Sequence, residues 1–361
     1  MKFRLNDLAE VGSSKRIYAK EYKSSGIPFY RGKEIIAKSE GRKIDNSLFI
    51  SKDRYNTLLK KCGVPKENDI LISAVGTIGK VYHVAKSDIP FYFKDGNLIR
   101  IYNYNYSLID PYYLYYLLKS YCGQNAIRKI EIGSTQKAIT INELSSIVLD
   151  IPSLQKQQEI SNKLKKIDAL ISVNSEINDN LLELAKAVFN KNVNSCSKTL
   201  LSNYFLPKRG KNLVKKNVIP GTIPVIAGGM IPAAFHNKSN TMAPVITISA
   251  SGANAGYVQI WGIKVWSSDS SFVDESVSNN IYFWYLLLKK YQKQIYESQT
   301  GSAQPHIYPK NIGNLLIPMV SDETRLNINE KVKPIFNNIF KNKHENNLLN
   351  NLKIILLEKY F

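Results

Sequence analysis

Cysteine and histidine are scarce in this chain of 361 residues. The cysteines Cys62, Cys122 and Cys196 are isolated, odd in number and form no Cys-x-x-Cys motif. Isolated thiols are typical of a reducing compartment, and they argue against a disulfide framework or a zinc site. The histidines are equally scattered, with no metal-ligand spacing among them: His83, His236, His306 and His344. We therefore expect no metal site, and we expect the histidines to be structural or surface residues.

Long apolar runs and acidic residues are also few. No run approaches the ~20 apolar residues of a membrane span, and the start, Met1–Asp7, lacks the apolar part of a signal peptide. We therefore expect a cytoplasmic protein with no membrane contact. The 49 Lys and Arg outnumber the 29 Asp and Glu, which gives a net charge of +20. Such a charge favours a polyanionic partner, with nucleic acid the first candidate; the alternative is a lysine-rich surface with no partner.

Signatures of catalysis are missing as well. The sequence has no Asp/Asn-Pro-Pro-Tyr/Phe motif of an amino-methyltransferase and no Gly-x-Gly-x-x-Gly after an opening strand. Gly76–Lys80 superficially resembles a phosphate loop but lacks its spacing, and its position between two strands predicts a hairpin turn. Glu21-Tyr22-Lys23 matches half of a nuclease metal site, without an accompanying acid on a preceding strand. We expect neither catalytic residues nor a cofactor bound by this chain.

The sequence does contain the pattern of one unusually long helix, and this pattern occurs twice. The segment 153–192 has a seam of residues at steps of four and three: Ile160, Leu164, Ile167, Ile171, Asn174, Asn178, Leu181, Ala185 and Val188. The same seam recurs 168 positions later: Ile328, Val332, Ile335, Ile339, Asn342, Asn346, Leu349, Lys353 and Leu356. This spacing is typical of a long helix that packs against another helix. Segments 155–191 and 322–361 would each span about 50–60 Å, and we expect them to pair antiparallel because a folded domain separates them.

The sequences between the helices are repeated too. Ile27-Pro28 and Ile223-Pro224 each begin a short apolar segment, and the strand–glycine–strand pattern of Asp69–Val84 recurs in Val245–Val258. The first half carries an extra basic insertion at about 34–67. Each half then has an aromatic helix, predicted to be core more than a base-stacking surface, followed by a Gly-x-x-Gln segment (133–136 and 301–304). A chain repeated in this order is built as two similar halves.

We therefore predict an α/β (α+β) protein with a pseudo-twofold internal repeat, in which two similar globular domains are joined by two long antiparallel coiled-coil helices. The predicted boundaries are a first globular domain at 1–152, a central long helix at 153–194, a second globular domain at 195–318 and a C-terminal long helix at 319–361.

Two seam asparagines are candidates for fixing the register of the helix pair. In a symmetric antiparallel pairing, Asn174 would face Asn342, with Ile160 near Leu356. Asparagine in an apolar seam lowers stability but specifies register. We therefore predict that this pair sets the separation of the two domains.

The candidate nucleic-acid contacts are basic residues for phosphates and amides for base edges. The basic candidates are Arg31, Lys33, Arg42, Lys43, Lys80, Arg128 and Lys137 in the first half, and Lys208, Arg209, Lys211, Lys215 and Lys216 in the second. The amide candidates are Gln136 and Gln304, since each follows a glycine turn that lets backbone approach a duplex. The alternatives are that the Gly-x-x-Gln segments are purely structural turns and that the cations are solvated surface.

Four segments in this order resemble the specificity subunit of type I restriction-modification systems: Gly26–Ile35 (GIPFYRGKEI), Asp69–Gly76 (DILISAVG), Gly133–Gln136 (GSTQ) and Leu154–Ile160 (LQKQQEI). The resemblance extends over both halves. It implies two target recognition domains, each of which reads half of a split double-stranded DNA site, and a helix pair that acts as spacer and docks two modification subunits.

The resemblance also implies a division of labour. The modification subunits would bind S-adenosylmethionine and methylate adenine, while restriction subunits would supply translocation and cleavage that use ATP and Mg²⁺. The specificity subunit itself would be non-catalytic. Two other classes stay open from the residues alone: a nuclease or methyltransferase with a cryptic site, and a coiled-coil RNA-binding scaffold.

Overall fold

The structure is a computed structural model that describes residues 1–42, 44, 48–133, 137–193, 197–301 and 304–361. Its contacts divide the chain into two compact units. The first unit is Met1–Leu170 with Leu348–Phe361, and the second is Ile171–Asn347.

The described residues of the first unit form nine strands and six helices that belong to it alone, and the long helix that follows them runs on into the second unit. The strands are β1 (Lys2–Arg4), β2 (Glu10–Gly12), β3 (Ile27–Tyr30), β4 (Phe49–Ile50), β5 (Ile70–Ser73), β6 (Val81–His83), β7 (Tyr92–Phe93), β8 (Leu98–Tyr102) and β9 (Val148–Asp150). The helices are α1 (Leu5–Leu8), α2 (Gly32–Ser39), α3 (Lys52–Cys62), α4 (Pro111–Lys119), α5 (Tyr121–Lys129), α6 (Ile141–Ser146) and α7 (Leu154–Asn192).

The second unit continues the numbering. Its strands are β10 (Lys198–Leu200), β11 (Lys208–Arg209), β12 (Ile223–Ile226), β13 (Ala234–His236), β14 (Val245–Ser249), β15 (Val258–Trp261), β16 (Trp266–Ser267), β17 (Ser270–Val273) and β18 (Leu316–Pro318). Its helices are α8 (Ile281–Lys290), α9 (Gln292–Glu297), α10 (Pro309–Gly313) and α11 (Asp322–Tyr360), of which α11 ends in the first unit.

Each unit builds the same three sheets. In the first unit they have the strand orders β1-β9, β2-β8-β5-β6 and β4-β3-β7; in the second they are β10-β18, β11-β17-β14-β15 and β13-β12-β16. The three-stranded sheets agree in direction too, since β3–β7 and β12–β16 are parallel while β3–β4 and β12–β13 are antiparallel. The predicted internal repeat and the mixed fold class are confirmed.

The repeat differs where the first half carries its insertion. Between β3 and β5 the first unit adds α2, β4 and α3, whereas the second unit has only β13 between β12 and β14. Ser51 begins α3 by accepting a hydrogen bond from the backbone N–H of Arg54 at 3.2 Å, as N-cap serines do.

The glycine segments between paired strands are hairpin turns, as predicted. In the β5–β6 turn Gly76 has φ of 77° and Gly79 has φ of 78°, and in the β14–β15 turn Gly252 and Gly256 have φ of 78° and 85°. Glycine adopts this left-handed backbone without the steric cost that a Cβ would add. The segment Gly76–Lys80 is therefore a turn between antiparallel strands and not a phosphate loop.

The aromatic helices are core elements, as predicted. Every residue of α8 from Ile281 to Leu288 is buried, and so are Tyr113, Leu114 and Tyr116 of α4. Burial of each large apolar side chain contributes about 1.5–3 kcal/mol, so these two helices anchor the cores of their units. Their buried rings are not available for stacking on bases.

The long helices α7 and α11 each contain 39 residues, a length of about 58 Å at 1.5 Å per residue. Ile160 and Leu164 of α7 are buried in the core of the first unit, against which Leu356 of α11 also packs. Ala185 and Phe189 of α7 join Ile328 and Val332 of α11 in the core of the second unit. Each unit thus includes part of both helices, whereas the predicted boundaries treat the helices as separate segments. The assignment of recognition to 1–152 and 195–318 stays a prediction.

Candidate nucleic-acid interface

Arg31 and Lys33, two predicted phosphate contacts, share one internal carboxylate. Arg31 lies at the start of α2 and donates to Glu34 at 2.8 Å, while Lys33 Nζ is 3.6 Å from the same side chain. Burial of Glu34 opposes its ionisation, but the hydrogen bonds from Arg31 outweigh this effect and lower the pKa of Glu34. Because the carboxylate stays charged, it offsets one of the two positive charges.

Arg42 and Lys80 are arranged in the same way around Glu40. The carboxylate of Glu40 accepts from Lys80 at 2.8 Å and from Arg42 at 2.6 Å, and these hydrogen bonds lower its pKa. All three side chains are substantially exposed, so the ion pairs are weak. A phosphate could replace Glu40 as the partner of Arg42 and Lys80 at little cost in free energy. While Glu40 stays in place, the two cations and the carboxylate carry one net positive charge and not two.

The remaining candidates of the first unit lie apart from these clusters. Arg128 is exposed on α5, with its guanidinium 5.7 Å from the ring centroid of Tyr121. Lys137 pairs with Glu131 at 2.9 Å. Lys43 and Gln136 lie outside the described residues.

The second unit presents its cations near the end of β11. Lys208 donates to the backbone oxygen and the hydroxyl of Ser276, both at 3.1 Å, and Arg209 pairs with Asp269 at 2.8 Å. By contrast, three predicted cations are exposed and form no ion pair with the residues that the structure describes: Lys211, Lys215 and Lys216. Lys208 has no carboxylate partner in the described structure either, so among the predicted cations of this unit Arg209 is the one whose charge a described carboxylate offsets.

Gln304 is exposed, next to a glycine turn. Gly301 has φ of 90°, and its counterpart Gly133 in the first unit has the same value. The backbone bridges around them also correspond, since Ile132 pairs with Ala138 and Thr300 with His306. The described part of the Gly-x-x-Gln segment is thus a repeated turn, and base contact by Gln304 stays a prediction.

Two cations that the sequence-based selection missed lie together in the first unit. Arg16 and Lys94 line an open cleft, and neither forms an ion pair with a described residue. The sequence does point to the segment around Arg16, because its neighbour Lys15 corresponds, at the repeat offset of 196, to Lys211, which is a predicted phosphate contact. Nothing in the sequence indicates a role for Lys94, since only the fold brings it close to Arg16.

The seam asparagines form side-chain hydrogen bonds between the two long helices within the second unit. Asn174 Nδ2 donates to Asn346 Oδ1 and Asn342 Nδ2 donates to Asn178 Oδ1, both at 3.0 Å. The order of these pairs confirms that the helices are antiparallel. The predicted pairing of Asn174 with Asn342 is wrong by one helical turn.

The physical reason for the shift is that each helix carries two asparagines four residues apart. The predicted register would join only one symmetric Asn–Asn pair, whereas the observed register joins two. The amide of Asn346 makes a further contact, because its Nδ2 also donates to the backbone oxygen of Ile171 at 3.2 Å. Half-buried amides are stabilised by finding such partners, so two satisfied pairs are favoured over one.

A polar contact also joins the long helices in the first unit. Asp168 of α7 accepts from Lys353 of α11 and from the hydroxyl of Tyr116 in α4, the latter at 2.7 Å. Burial, followed by the charge of Asp168, raises the pKa of Tyr116, which therefore stays a neutral donor. This contact ties both helices to the core helix α4.

The described residues contain no group of three or more His, Cys, Asp or Glu placed to hold a metal ion. Among the helices of the described ranges, none combines the length and the apolar character that crossing a membrane requires.

Comparison with known proteins identifies the family. The family model of the type I restriction modification DNA specificity domain matches residues 1–183 and again residues 205–351. A Haemophilus influenzae protein named as a type I restriction enzyme specificity subunit is 34% identical over 167 residues, 46% of this chain. The match spans 40% of that relative's length. A protein of Mycoplasma genitalium named as a type I specificity subunit is 26% identical over 296 residues, 74% of this chain and 72% of the relative.

A solved structure supports the fold. The crystal structure of the S subunit of a type I restriction-modification system from M. genitalium matches with a TM-score of 0.62 at 20% identity, covering 100% of this chain and 96% of that one. Because the DNA specificity model matches most of the sequence and does so twice, this chain belongs to the family of type I restriction-modification specificity subunits, the non-catalytic components of those systems.

Proposed function

We propose that this chain binds double-stranded DNA and reads a bipartite target, one half with each unit. The observation that carries the proposal is the duplication: the same three sheets occur twice, in a chain that the DNA specificity model also matches twice. Two equivalent readers in one polypeptide are suited to two half-sites on one duplex. The net charge of +20 supplies the attraction to phosphates.

We further propose that the chain directs methyltransferase and restriction subunits to that target and has no chemistry of its own. Exposed apolar side chains on the long helices support a docking role. In the second unit Val173, Ile177 and Leu184 follow one face of α7, each about half exposed; in the first unit Leu348 and Leu352 do the same on α11. Apolar stripes of this kind mark protein interaction surfaces.

One stripe in each unit would suit two modification subunits, one per half-site. In this proposal S-adenosylmethionine, ATP and Mg²⁺ are bound by the partner subunits, and this chain binds none of them. The helix pair, with its two asparagine pairs, holds the two readers at a set separation and thereby fixes the length of the gap between the half-sites.

Methylation mapping tests the proposed function. Cells that carry this chain together with its modification subunits should gain methylated adenines in a split motif, with two specified halves separated by unspecified base pairs. Cells that carry the modification subunits alone are the control and should lack that motif. Methylation of a contiguous motif, or the same motif without this chain, would contradict the proposal.

A further inference from the structure

A cleft of about 410 Å³ opens on the first unit beside the four-stranded sheet. Its walls are the segment that follows β2 and the loop between β7 and β8. The residues that line it include Arg16, Tyr18, Tyr22, Lys94, Asp95 and Asn97. None of these side chains is among the nucleic-acid contacts predicted from the sequence. They combine two cations, a carboxylate, exposed aromatic surface and an amide.

Asp95 also lines this cleft, but no ion pair joins it to Arg16 or Lys94 in the described structure, whereas Arg31 and Lys33 at the start of α2 both pair with Glu34. The guanidinium of Arg16 lies 5.4 Å from the ring centroid of Tyr18, a side chain that is 55% exposed. Neither Arg16 nor Lys94 has a carboxylate partner among the described residues. Stacking on Tyr18 orders the guanidinium while it leaves the donor N–H groups free for a ligand.

The backbone beneath these side chains is fixed. Ser14 Oγ donates to the backbone oxygen of Phe93 at 2.7 Å, Lys15 N–H donates to the hydroxyl of Tyr92 at 2.8 Å, and Ile17 is buried. Tyr18 N–H then donates to Glu21 at 2.9 Å, at the start of the 3-10 turn Ala19–Glu21. A rigid backbone that presents exposed polar side chains is what a specific recognition surface requires.

The second unit has the same backbone arrangement at the equivalent position of its repeat. Its segment after β11 leads into the 3-10 turn Lys215–Asn217, which lies 196 positions after Ala19–Glu21. The segment is again tied to the neighbouring loop: Lys211 N–H donates to the oxygen of Ser267 at 3.0 Å, and Leu213 N–H donates to Ser268 Oγ at 3.0 Å.

The two equivalent segments share two exposed lysine positions, Lys15 with Lys211 and Lys20 with Lys216, and they differ at the exposed positions between them. At the repeat offset Arg16 corresponds to Asn212, Tyr18 to Val214, and Ala19 to Lys215. Asn212, Val214 and Lys215 are all exposed. The buried Ile17 corresponds to the half-buried Leu213, so the repeat keeps an apolar anchor here and changes the exposed side chains beside it.

We propose that these two faces, 15–22 with 94–97 in the first unit and 211–218 with 268–269 in the second, read the base pairs of the two half-sites. Arg16 would bind a guanine edge and Asn212 an adenine edge, the pairings that guanidinium and amide geometry favour in the major groove. Their difference gives the two halves different sequences. This inference rests on the proposed function. It assigns base readout to Arg16 and Asn212, neither of which is among the contacts predicted from the sequence, although Lys211, Lys215 and Lys216 on the second face are.

The test uses the full chain assembled with its modification subunits. Methylation rates are measured on duplexes that carry every single-base change in the target. Arg16→Gln should relax the preference for one guanine, in one half-site only, by about 10- to 100-fold, and Asn212→Ala should do the same for one adenine in the other half. Exposed residues of the same types outside these faces provide controls: Arg4→Gln and Asn237→Ala should keep the wild-type pattern.

The outcomes separate this inference from the proposed function. If the wild-type assembly methylates a bipartite target and both face variants keep its base preferences, this inference alone is wrong. A uniform loss of rate over all duplexes also overturns it, because that result indicates phosphate contact. If the wild-type assembly marks no bipartite target, the proposed function fails and this inference fails with it.

Discussion

His83 is a half-buried residue through which we expect the stability of the first unit to depend on pH. Its ring stacks on Tyr112 with 4.1 Å between centroids, and its Nε2 is buried without a hydrogen-bond partner among the described residues. Burial lowers the pKa of His83 from an ordinary value of 6.5 to about 4; Asp88 opposes this change and Lys165 adds to it. The folded unit therefore keeps the imidazole neutral.

This pKa predicts a loss of stability in mild acid. The unfolded chain takes up a proton below a pH of about 6.5 and the folded unit only below about 4, so the contribution is complete above this window and is lost as the pH falls through it. Between pH 7 and pH 5 we expect the wild type to lose about 2 kcal/mol more than His83→Phe, which keeps the stacked ring and removes the titration. Urea unfolding followed by circular dichroism measures the difference.

An internal control is available for this measurement. The three tryptophans, Trp261, Trp266 and Trp284, all belong to the second unit. Tryptophan fluorescence should therefore report a transition whose pH dependence is the same in wild type and variant. Equal pH dependence in the circular dichroism transition as well would show that His83 is not held neutral by the fold.

Individual residues also show what the sequence alone does not predict, namely the partners of each charged side chain. Arg31, Arg42 and Lys80 were selected as phosphate contacts from residue type, but their charges are shared with Glu34 and Glu40. Lys80 reaches Glu40 across 40 positions of sequence, a distance that only the fold closes. Residue type predicts that a cation is present, and the surrounding carboxylates decide how much of its charge is available to DNA.

At the scale of elements, the helix pair was predictable because its seam repeats at steps of four and three. The apolar steps predicted α7 and α11 and their antiparallel direction. The register was one turn off because asparagines at 174, 178, 342 and 346 allow more than one symmetric pairing. Spacing alone does not distinguish these registers, since moving by one turn keeps the same face of each helix in the seam.

The observed register predicts an energetic coupling between Asn178 and Asn342. Each single substitution by Ala leaves the partner amide without its hydrogen bond, so the double substitution should cost less than the sum of the two. We expect a coupling of about 0.5–1.5 kcal/mol in a double-mutant cycle. Tryptophan fluorescence during urea unfolding is a suitable measurement, because both residues lie in the second unit with all the tryptophans.

A matched cycle distinguishes this bond from a general effect of asparagine on the helices. Asn180 and Asn338 are exposed on the same two helices, and no hydrogen bond joins them in the described structure. Their cycle should give no coupling. Equal couplings in the two cycles would mean that the Asn178–Asn342 contact does not specify the register.

At the scale of the whole molecule, duplication is the property that sequence analysis captured best. The repeated hairpins, the aromatic core helices and the long helices follow local patterns that are visible without a structure. The cleft of the first unit was not predictable in this way, because Arg16 and Lys94 come from segments 78 positions apart. The equivalent segment of the second unit, 211–218, is recognisable because its 3-10 turn Lys215–Asn217 follows Ala19–Glu21 by 196 positions.

The central claim is that the helix pair sets the spacing of two DNA readers, and the gap length of the methylated motif tests it most directly. One heptad added to α7 between Ile160 and Val188, with a matching heptad in α11, lengthens the pair by about 10 Å, the rise of about three base pairs. Methylation mapping in cells that carry this variant and its modification subunits should give the same two half-sites separated by a gap of different length. The same half-sites with an unchanged gap would contradict the account.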